Sequence, residues 1–385
     1  MAGDRELLAP SAAQVIAVSI APHDLAVKTA QARRAFDGAA LRGVCRLGEA
    51  RPSLGDDVLL HAGPPLGDAD VPHAIRNAAI HALVHGGRDA GAAAEALDRG
   101  AIRLAPAQDH GVVTPLAQVV SSAMPVFRVG DEADEVLAPL AESAPPALRF
   151  GSADPVCVVN LRAQAQWALD VLAGRLAEAP LPVVGWIERG LAAGDECHAR
   201  VGVVNAAFRQ ALGELPADYA RTIEDNANFV LPVLMAASAW ALRRRGGSIA
   251  AAGGNGVEFG LRFPGDVGWR TVAATPPAGV YLPGREQAPV LGAVGDSPVI
   301  DFCGLGGQAL AFAADLLAAW AEVLPPAREL CAESLLEPDT GLVCRHRVVH
   351  SGRSPLVNLA MVDASAAGGL VGRGVYAPGV DLFRG

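Results

Sequence analysis

Five stretches of the chain concentrate residue types that do chemistry. The densest is Gly194-Asp195-Glu196-Cys197-His198-Ala199-Arg200. On a helix, Asp195 and His198 stand three apart and Glu196 and Arg200 four apart, so each pair would share a face. A carboxylate beside an imidazole sets its tautomer and raises its basicity, as a general base requires. The same spacing also describes an N-capped helix with one surface ion pair. The second stretch, Pro106-Ala107-Gln108-Asp109-His110-Gly111, follows an expected strand. A histidine at a strand end faces the ligand crevice in many α/β folds, though an ordinary loop residue fits the pattern too.

Third comes His61, in the loop His61-Ala62-Gly63-Pro64-Pro65, with Arg76 a turn or so into the next expected helix. A helix N-terminus and a guanidinium together suit phosphate or carboxylate. The fourth is Gly253-Gly254-Asn255-Gly256 leading to Glu258 and Arg262. Small residues let backbone N–H groups reach a substrate, Arg262 can clamp a carboxylate, and Glu258 can steer that arginine. A partly buried ion pair of little net value is the alternative. The fifth joins Gly295-Asp296-Ser297 to Asp301 and Gly304-Leu305-Gly306-Gly307, which opens an expected apolar helix. That turn has the make-up of an anion nest, or of close packing alone. Acid–base work thus falls to Asp195, Glu196, His198, His110 and Glu258. Substrate binding falls to His61, Arg76, Arg200, Asn255, Arg262, Asp296, Ser297, Asp301 and Gly306. Asp195, His198 and His110 lack the dense spacing of a metal site, so neither metal nor cofactor is expected.

The elements that must position these residues read as α/β. Residues 15–20 have the pattern of a buried strand and 24–36 that of a helix. A strand over 57–60 runs into the His61 loop, helices follow over 71–84 and 90–97, and a third strand covers 101–104. Alternating strands and helices predict a Rossmann-like N-terminal unit over 1–104, without the G-x-G-x-x-G of a dinucleotide site. Two short β-like runs flank Ser121-Ser122. Apolar residues recur at helical spacing within 156–245, which predicts a mostly helical central insert. An α+β domain carrying the glycine-rich loops is expected from 105–155 together with 246–385. In it, residues 257–263 alternate strictly, with Glu258 and Arg262 on the polar face.

Composition narrows the function classes. The chain has 385 residues and a formal net charge of −10, from 31 basic and 41 acidic residues. Its densest basic run, Arg243-Arg244-Arg245, closes an apolar helix, so no basic face for nucleic acid is present. Lys28 is the only lysine and follows no glycine-rich loop, which argues against Schiff-base and P-loop mechanisms. The six cysteines are scattered without a C-x-x-C pair, the usage of reduced cytosolic thiols. No secretory signal is recognisable, and the longest apolar block, 229–242, is too short to span a bilayer. A soluble cytoplasmic protein is expected, with no membrane partner.

Taken in order, these stretches resemble one family. They are Leu60-His61-Ala62-Gly63-Pro64-Pro65, residues 106–115, Ser122-Ala123-Met124-Pro125-Val126-Phe127 and Leu148-Arg149-Phe150-Gly151. To them are added Gly194-Asp195-Glu196 with His198 and Arg200, residues 255–262, Gly295-Asp296-Ser297 and Gly304-Leu305-Gly306-Gly307. The chain is similar to the oxamate carbamoyltransferase subunit family, which acts with FdrA-type proteins and is best known in bacterial allantoin breakdown, a branch of purine catabolism. The resemblance implies transfer of a carbamoyl group between a small amide acid and phosphate. Oxalurate and phosphate would exchange with oxamate and carbamoyl phosphate. It also implies an FdrA-type partner and a homo-oligomer. Two anions need cationic clamps, for which Arg76, Arg200 and Arg262 are candidates, and the glycine turns would stabilise an oxyanion.

The departures from the family pattern are specific. Gly254 stands where the family has Arg, Thr114 and Gln118 where it has Gly, Ala199 where it has Asn, and Asp301 where it has Glu. A His-Lys pair near the C-terminus is replaced by Leu359-Ala360-Met361-Val362-Asp363. This is the pattern of a divergent member. Two other readings follow: a non-catalytic scaffold or regulatory subunit, or a stand-alone enzyme acting on another small amide or carboxylic acid.

Overall fold

The apolar block at 229–242 has no polar face, and it folds as the helix Leu231–Arg244 with every residue from Pro232 to Leu242 buried. A helix apolar all round must lie inside the molecule, and its proline falls in the first turn, where no helical N–H is needed. The computed structural model describes residues 22–140, 142, 145–326, 330 and 332–384. The strand expected over 15–20 lies outside the described residues.

The first helix, Pro22–Phe36, leads into β1 (Ala40–Arg46), a strand that the pattern reading did not anticipate. β2 (Val58–His61) is followed by the helices His73–His85 and Ala90–Asp98 and then by β3 (Arg103–Pro106). The second of these helices starts at Asp89, whose carboxylate accepts the N–H groups of Gly91 (2.8 Å) and Ala92 (3.2 Å). β2 and β3 pair in parallel, from Val58 opposite Arg103 to His61 opposite Pro106. The parallel βαβ core of the N-terminal part is thus two strands wide among the described residues. β1 turns away from it.

β4 (Pro125–Gly130) and β5 (Glu135–Pro139) join β1 and the short β6 (Leu181–Pro182) in an antiparallel sheet of order β5-β4-β1-β6. Around β6 the chain is helical, through Val156–Trp167, Val184–Ala192, Gly202–Ala211 and Ala217–Asp225. Their apolar faces and the Leu231–Arg244 helix share one core with β1 and β4, in which Phe208 stacks on Phe229 at 6.1 Å. A contact of that kind contributes about 1 kcal/mol beyond the area it buries.

From residue 251 strands return, with the short helices Pro298–Phe302, Ala314–Ala319 and Arg345–Ser351 between them. β7 (Ala251–Asn255), β8 (Glu258–Arg262), β9 (Arg270–Ala273), β10 (Ala278–Tyr281), β11 (Val294–Gly295), β12 (Val357–Val362) and β13 (Leu370–Tyr376) form two antiparallel sheets. Their orders are β11-β7-β8-β9 and β10-β13-β12. The strict alternation at 257–263 does mark a strand, but not a solvated face. Phe259, Gly260 and Leu261 are all buried, and a Cβ at Gly260 would lie 2.9 Å from Trp269 and 3.2 Å from Pro64. Both faces of β8 are covered, so glycine is needed for close approach rather than for a turn.

Candidate functional site

Residues 194–200 do not open a helix. The Glu196 carboxylate, fully buried, gathers the N–H groups of His198 (2.6 Å), Ala199 (2.5 Å) and Arg200 (2.9 Å) and the Asn358 side-chain amide (3.2 Å). Wrapping three successive N–H groups around one carboxylate bends the chain into a loop, with Cys197 at a φ of 70°. Burial pushes the Glu196 carboxyl up to about 7, against the lowering pull of His198 and the backbone donors.

The loop changes the imidazole's partner. Asp195 turns away and accepts the Val203 (2.7 Å) and Val204 (3.4 Å) N–H groups at the start of the helix Gly202–Ala211. The carboxylate beside His198 is instead that of Asp301, 2.9 Å from Nδ1. Asp301 is itself fixed by the N–H groups of Gly307 (2.7 Å) and Asn358 (3.0 Å), so it orients the ring rigidly. Burial acts first and against the imidazolium. The Asp301 charge and hydrogen bond outweigh it, Glu196 adds to them, and the His198 pKa lies above its ordinary value. With Nδ1 occupied, Nε2 is left without a hydrogen-bond partner among the described residues.

His198 lines a cavity together with Pro115, Leu116, Phe150, Leu231 and Leu370. Leu116 holds the left-handed conformation at a φ of 50°, a strained backbone for a leucine. Two guanidinium groups, of Arg149 and Arg373, also line the cavity. They differ in kind. Arg149 is buried and committed: Nη1 donates to the Glu142 carbonyl at 3.0 Å and lies 3.7 Å from its carboxylate, and the guanidinium sits 4.6 Å over the Phe150 ring. Arg373, half-buried, has no hydrogen-bond or ion-pair partner among the described residues. Burial pulls it below the usual guanidinium range, opposed by Glu196.

Strand geometry puts Arg373 there. It lies in β13 directly opposite Ala360 of β12, another cavity residue, and is flanked by Gly372 and Gly374. A Cβ at Gly374 would stand 2.0 Å from the Ala278 carbonyl of β10, so only glycine fits there. Neutral groups complete the wall: Asn228, Ser297 and Asn358. The Ser297 hydroxyl and the Asn358 Oδ1 are buried without partners among the described residues. Buried polar atoms of that kind are rare, and these two belong to residues of the cavity wall.

Of the residues singled out from sequence, His198 and Ser297 line the cavity, with Glu196 and Asp301 behind them. The others are engaged elsewhere. Arg76 pairs with Asp98 (2.8 Å), Arg200 with Asp315, and Arg262 with Asp109 (2.6 Å), none of them lining the cavity. Glu258 accepts from Thr271 (2.9 Å) rather than steering Arg262. Asn255 ties the Pro64 carbonyl (3.0 Å) to its own hairpin through the Val257 and Glu258 N–H groups. Asp296 is a buried staple holding the Gly63 and Thr114 N–H groups (2.9 Å each) and the Gln108 amide (2.6 Å), and burial pushes its carboxyl up to about 7. His61 is buried with Nδ1 on the Ala62 carbonyl, and burial lowers it to about 4, while the His110 carbonyl accepts from Arg51. Lys28 is buried behind the Gly304 turn, its amine lowered by burial to about 8.

Neither glycine turn offers the free donors expected of it. The Gly306 N–H is spent on the Glu196 carbonyl (2.7 Å), that of Gly307 on Asp301, and that of Gly256 on the Ala293 carbonyl (3.0 Å). Gly253 and Gly254 are paired within the β7–β8 ladder. At Gly254 a Cβ would meet the Ala293 carbonyl at 2.1 Å, so this chain has no room for a side chain there. The residues that pattern reading passed over are Arg373, Asn358 and the Arg149–Glu142 pair. A visible signal for the first was an arginine set between two glycines in the β-like run 370–376.

Residues 102–297, about half of the chain, match the family described as oxamate carbamoyltransferase subunit AllG. Oxamate carbamoyltransferase subunit AllG of Escherichia coli K12 is 27% identical over 364 residues, covering 83% of this chain and 86% of that protein. The uncharacterized protein YahG of the same strain is 28% identical over 375 residues, covering 86% and 78%. In three dimensions the chain superposes on the crystal structure of a conserved protein of unknown function from Enterococcus faecalis V583. The TM-score is 0.78 at 23% identity, with 93% of this chain and 95% of that one covered. The two share a fold. Among the described residues no helix is long and apolar enough to cross a membrane.

Proposed function

The chain belongs to the oxamate carbamoyltransferase subunit AllG family, and from that premise we propose that it is a subunit of a carbamoyltransferase acting on a small amide acid. The observation that carries this reading is a buried His198–Asp301 pair opening onto the cavity that also holds the Arg373 guanidinium. An amide nitrogen is a poor nucleophile because its lone pair is delocalised into the carbonyl. Attack on a carbamoyl carbon therefore needs a base to take the nitrogen's proton as the new C–N bond forms and phosphate leaves. Nε2 of His198 is the base, held in the right tautomer by Asp301 and returned to neutrality when the proton is passed on. Arg373 anchors the acid's negative charge. Glu196 shapes the loop that presents His198 and does not itself face the substrate.

A second reading is favoured by one observation. The glycine-turn N–H groups are consumed internally, so the donors for the tetrahedral adduct's oxyanion must come from elsewhere, which suits a chain that works inside a complex. In that reading the chain binds one substrate and a partner supplies the rest, or it serves only as scaffold. The test is phosphate release from carbamoyl phosphate and oxamate by the complex reconstituted with wild-type chain or with the His198→Ala variant. Catalysis through His198 predicts a loss of ~10²–10⁴-fold. Equal rates for the two would leave the scaffold role. An enzyme on another amide or acid would show itself as turnover of that substrate by the isolated chain.

A further inference from the structure

The cavity's ionisable side chains can be assigned to their partners one by one. Arg149 is paired with Glu142, both buried. His198 and Asp301 are hydrogen-bonded to each other at 2.9 Å. Among the described residues that line the cavity, Arg373 is then the only arginine without an ion-pair partner, with the charges of Glu196 and Arg149 acting on it. Most of the remaining wall is apolar: Pro115, Leu116, Phe150, Leu231, Leu359 and Leu370. One guanidinium without a direct partner in such a setting suits a single carboxylate. A phosphate dianion would keep an unbalanced charge in a poorly solvated space, which is costly.

The orphaned polar atoms supply a second anchor, one suited to an amide. Asn358 spends its amide N–H on Glu196, the only arrangement in which a carboxylate receives a donor, and its buried Oδ1 is left as an acceptor without a partner. An N–H from a ligand would satisfy it, and a carboxamide carries one. The Ser297 hydroxyl, also unpartnered, can donate to a carbonyl or carboxylate oxygen.

Resting on the transferase reading above, we infer that this cavity is the amide-acid subsite alone: Arg373 takes the carboxylate, Asn358 Oδ1 receives the amide N–H, and the phosphate-bearing substrate is held outside it. Arg373 then decides which of the two anions this chain selects.

The experiment is calorimetric competition on the full-length wild-type chain, with oxamate as the probe and inorganic phosphate as competitor, followed by oxamate titration of Arg373→Gln and Arg373→Lys. Saturable oxamate binding, unaffected by a tenfold excess of phosphate over oxamate, is expected. Arg373→Gln should weaken it at least tenfold and Arg373→Lys should recover part of the loss. Near-UV circular dichroism confirms that each variant is folded, and the wild-type competition stands without either. Displacement of oxamate by phosphate, absence of oxamate binding, or an Arg373→Gln affinity within threefold of wild type would each overturn the inference. Oxamate binding with no transfer by the reconstituted complex would instead overturn the transferase reading. Transfer with phosphate and oxamate competing for this cavity would sink the inference and spare that reading.

Discussion

Replacing Asp301 by Asn changes one oxygen of a fully buried side chain to NH₂ and keeps its shape. In the wild type, Oδ1 accepts from the Gly307 (2.7 Å) and Asn358 (3.0 Å) N–H groups while Oδ2 faces His198 Nδ1 at 2.9 Å. The amide oxygen will stay with the two backbone donors, which turns the NH₂ toward the imidazole. Nδ1 must then accept, and the ring proton moves to Nε2. The nitrogen facing the cavity becomes a donor and can no longer act as a base. The His198 pKa should also move. It is raised only because Asp301, with Glu196, outweighs burial, so with the Asp301 charge gone burial dominates and the value falls below the ordinary 6.5. Hydrogen bonds to charged groups contribute about 1.5–3 kcal/mol each, so the variant should be destabilised by roughly 2–4 kcal/mol.

The sign of the pH dependence follows from linkage. A histidine whose pKa is raised on folding contributes stability that is complete below its unfolded value and is lost as pH rises through the folded one. The stability gap between wild type and Asp301→Asn should therefore be widest below pH 6.5 and shrink in alkaline buffer. Chemical denaturation at pH 5.5 and 8.5, with an NMR titration of the His198 ring protons, measures both quantities. Turnover by the complex should fall ~10²–10⁴-fold. If His198 titrates at the wild-type midpoint in the variant, or if the gap is the same at both pH values, the account of the pair is refuted.

Three further outcomes are expected. Burial raises the Glu196 carboxyl from 4.5 to about 7, so its contribution to stability is present below pH 4.5 and is lost as pH rises through 7, at roughly 1.4 kcal/mol per unit. Glu196→Gln cannot ionise, and its denaturation midpoint should vary less with pH across that window; an equally steep profile would contradict the assignment. Gly254→Arg should destabilise this chain by about 3 kcal/mol, because its Cβ would meet the Ala293 carbonyl at 2.1 Å. A melting temperature at or above that of wild type would show that β11 yields easily. Arg262→Ala should leave turnover within about twofold and cost about 0.5–1 kcal/mol, the value of its exposed pair with Asp109. A hundredfold loss of activity would put the guanidinium back in the site.

Much of the local architecture could be read from residue patterns. The helix expected over 24–36 is Pro22–Phe36, and those over 71–84 and 90–97 are His73–His85 and Ala90–Asp98. These segments are long, periodic and bounded by stop signals, so short-range preferences settle them. β1 escaped because Ala40-Leu41-Arg42-Gly43-Val44-Cys45-Arg46 has no clean alternation. It is a strand because β4 and β6 pair with its two edges. Glycine-rich turns were legible as turns but not as internally saturated ones, since acceptors such as the Glu196 carbonyl for Gly306 and the Ala293 carbonyl for Gly256 are brought there by the tertiary fold.

By itself the sequence determined the family, the helical and extended segments, the acidic surface charge and the presence of a chemically rich segment around His198. Only the tertiary structure decided which carboxylate serves that histidine and which arginine stands free. Asp195 is three residues from His198 and Asp301 is 103, yet Asp301 wins. The Glu196 carboxylate bends the intervening backbone out of a helix, and the β12 backbone holds Asp301 in place. Arg262 and Arg373 are equally basic as side chains. Asp109 neutralises the first, and the glycine-flanked packing of β13 leaves the second alone at the cavity wall. Charge pairing in a fold is settled by which surfaces are buried together, and spacing along the chain does not encode it.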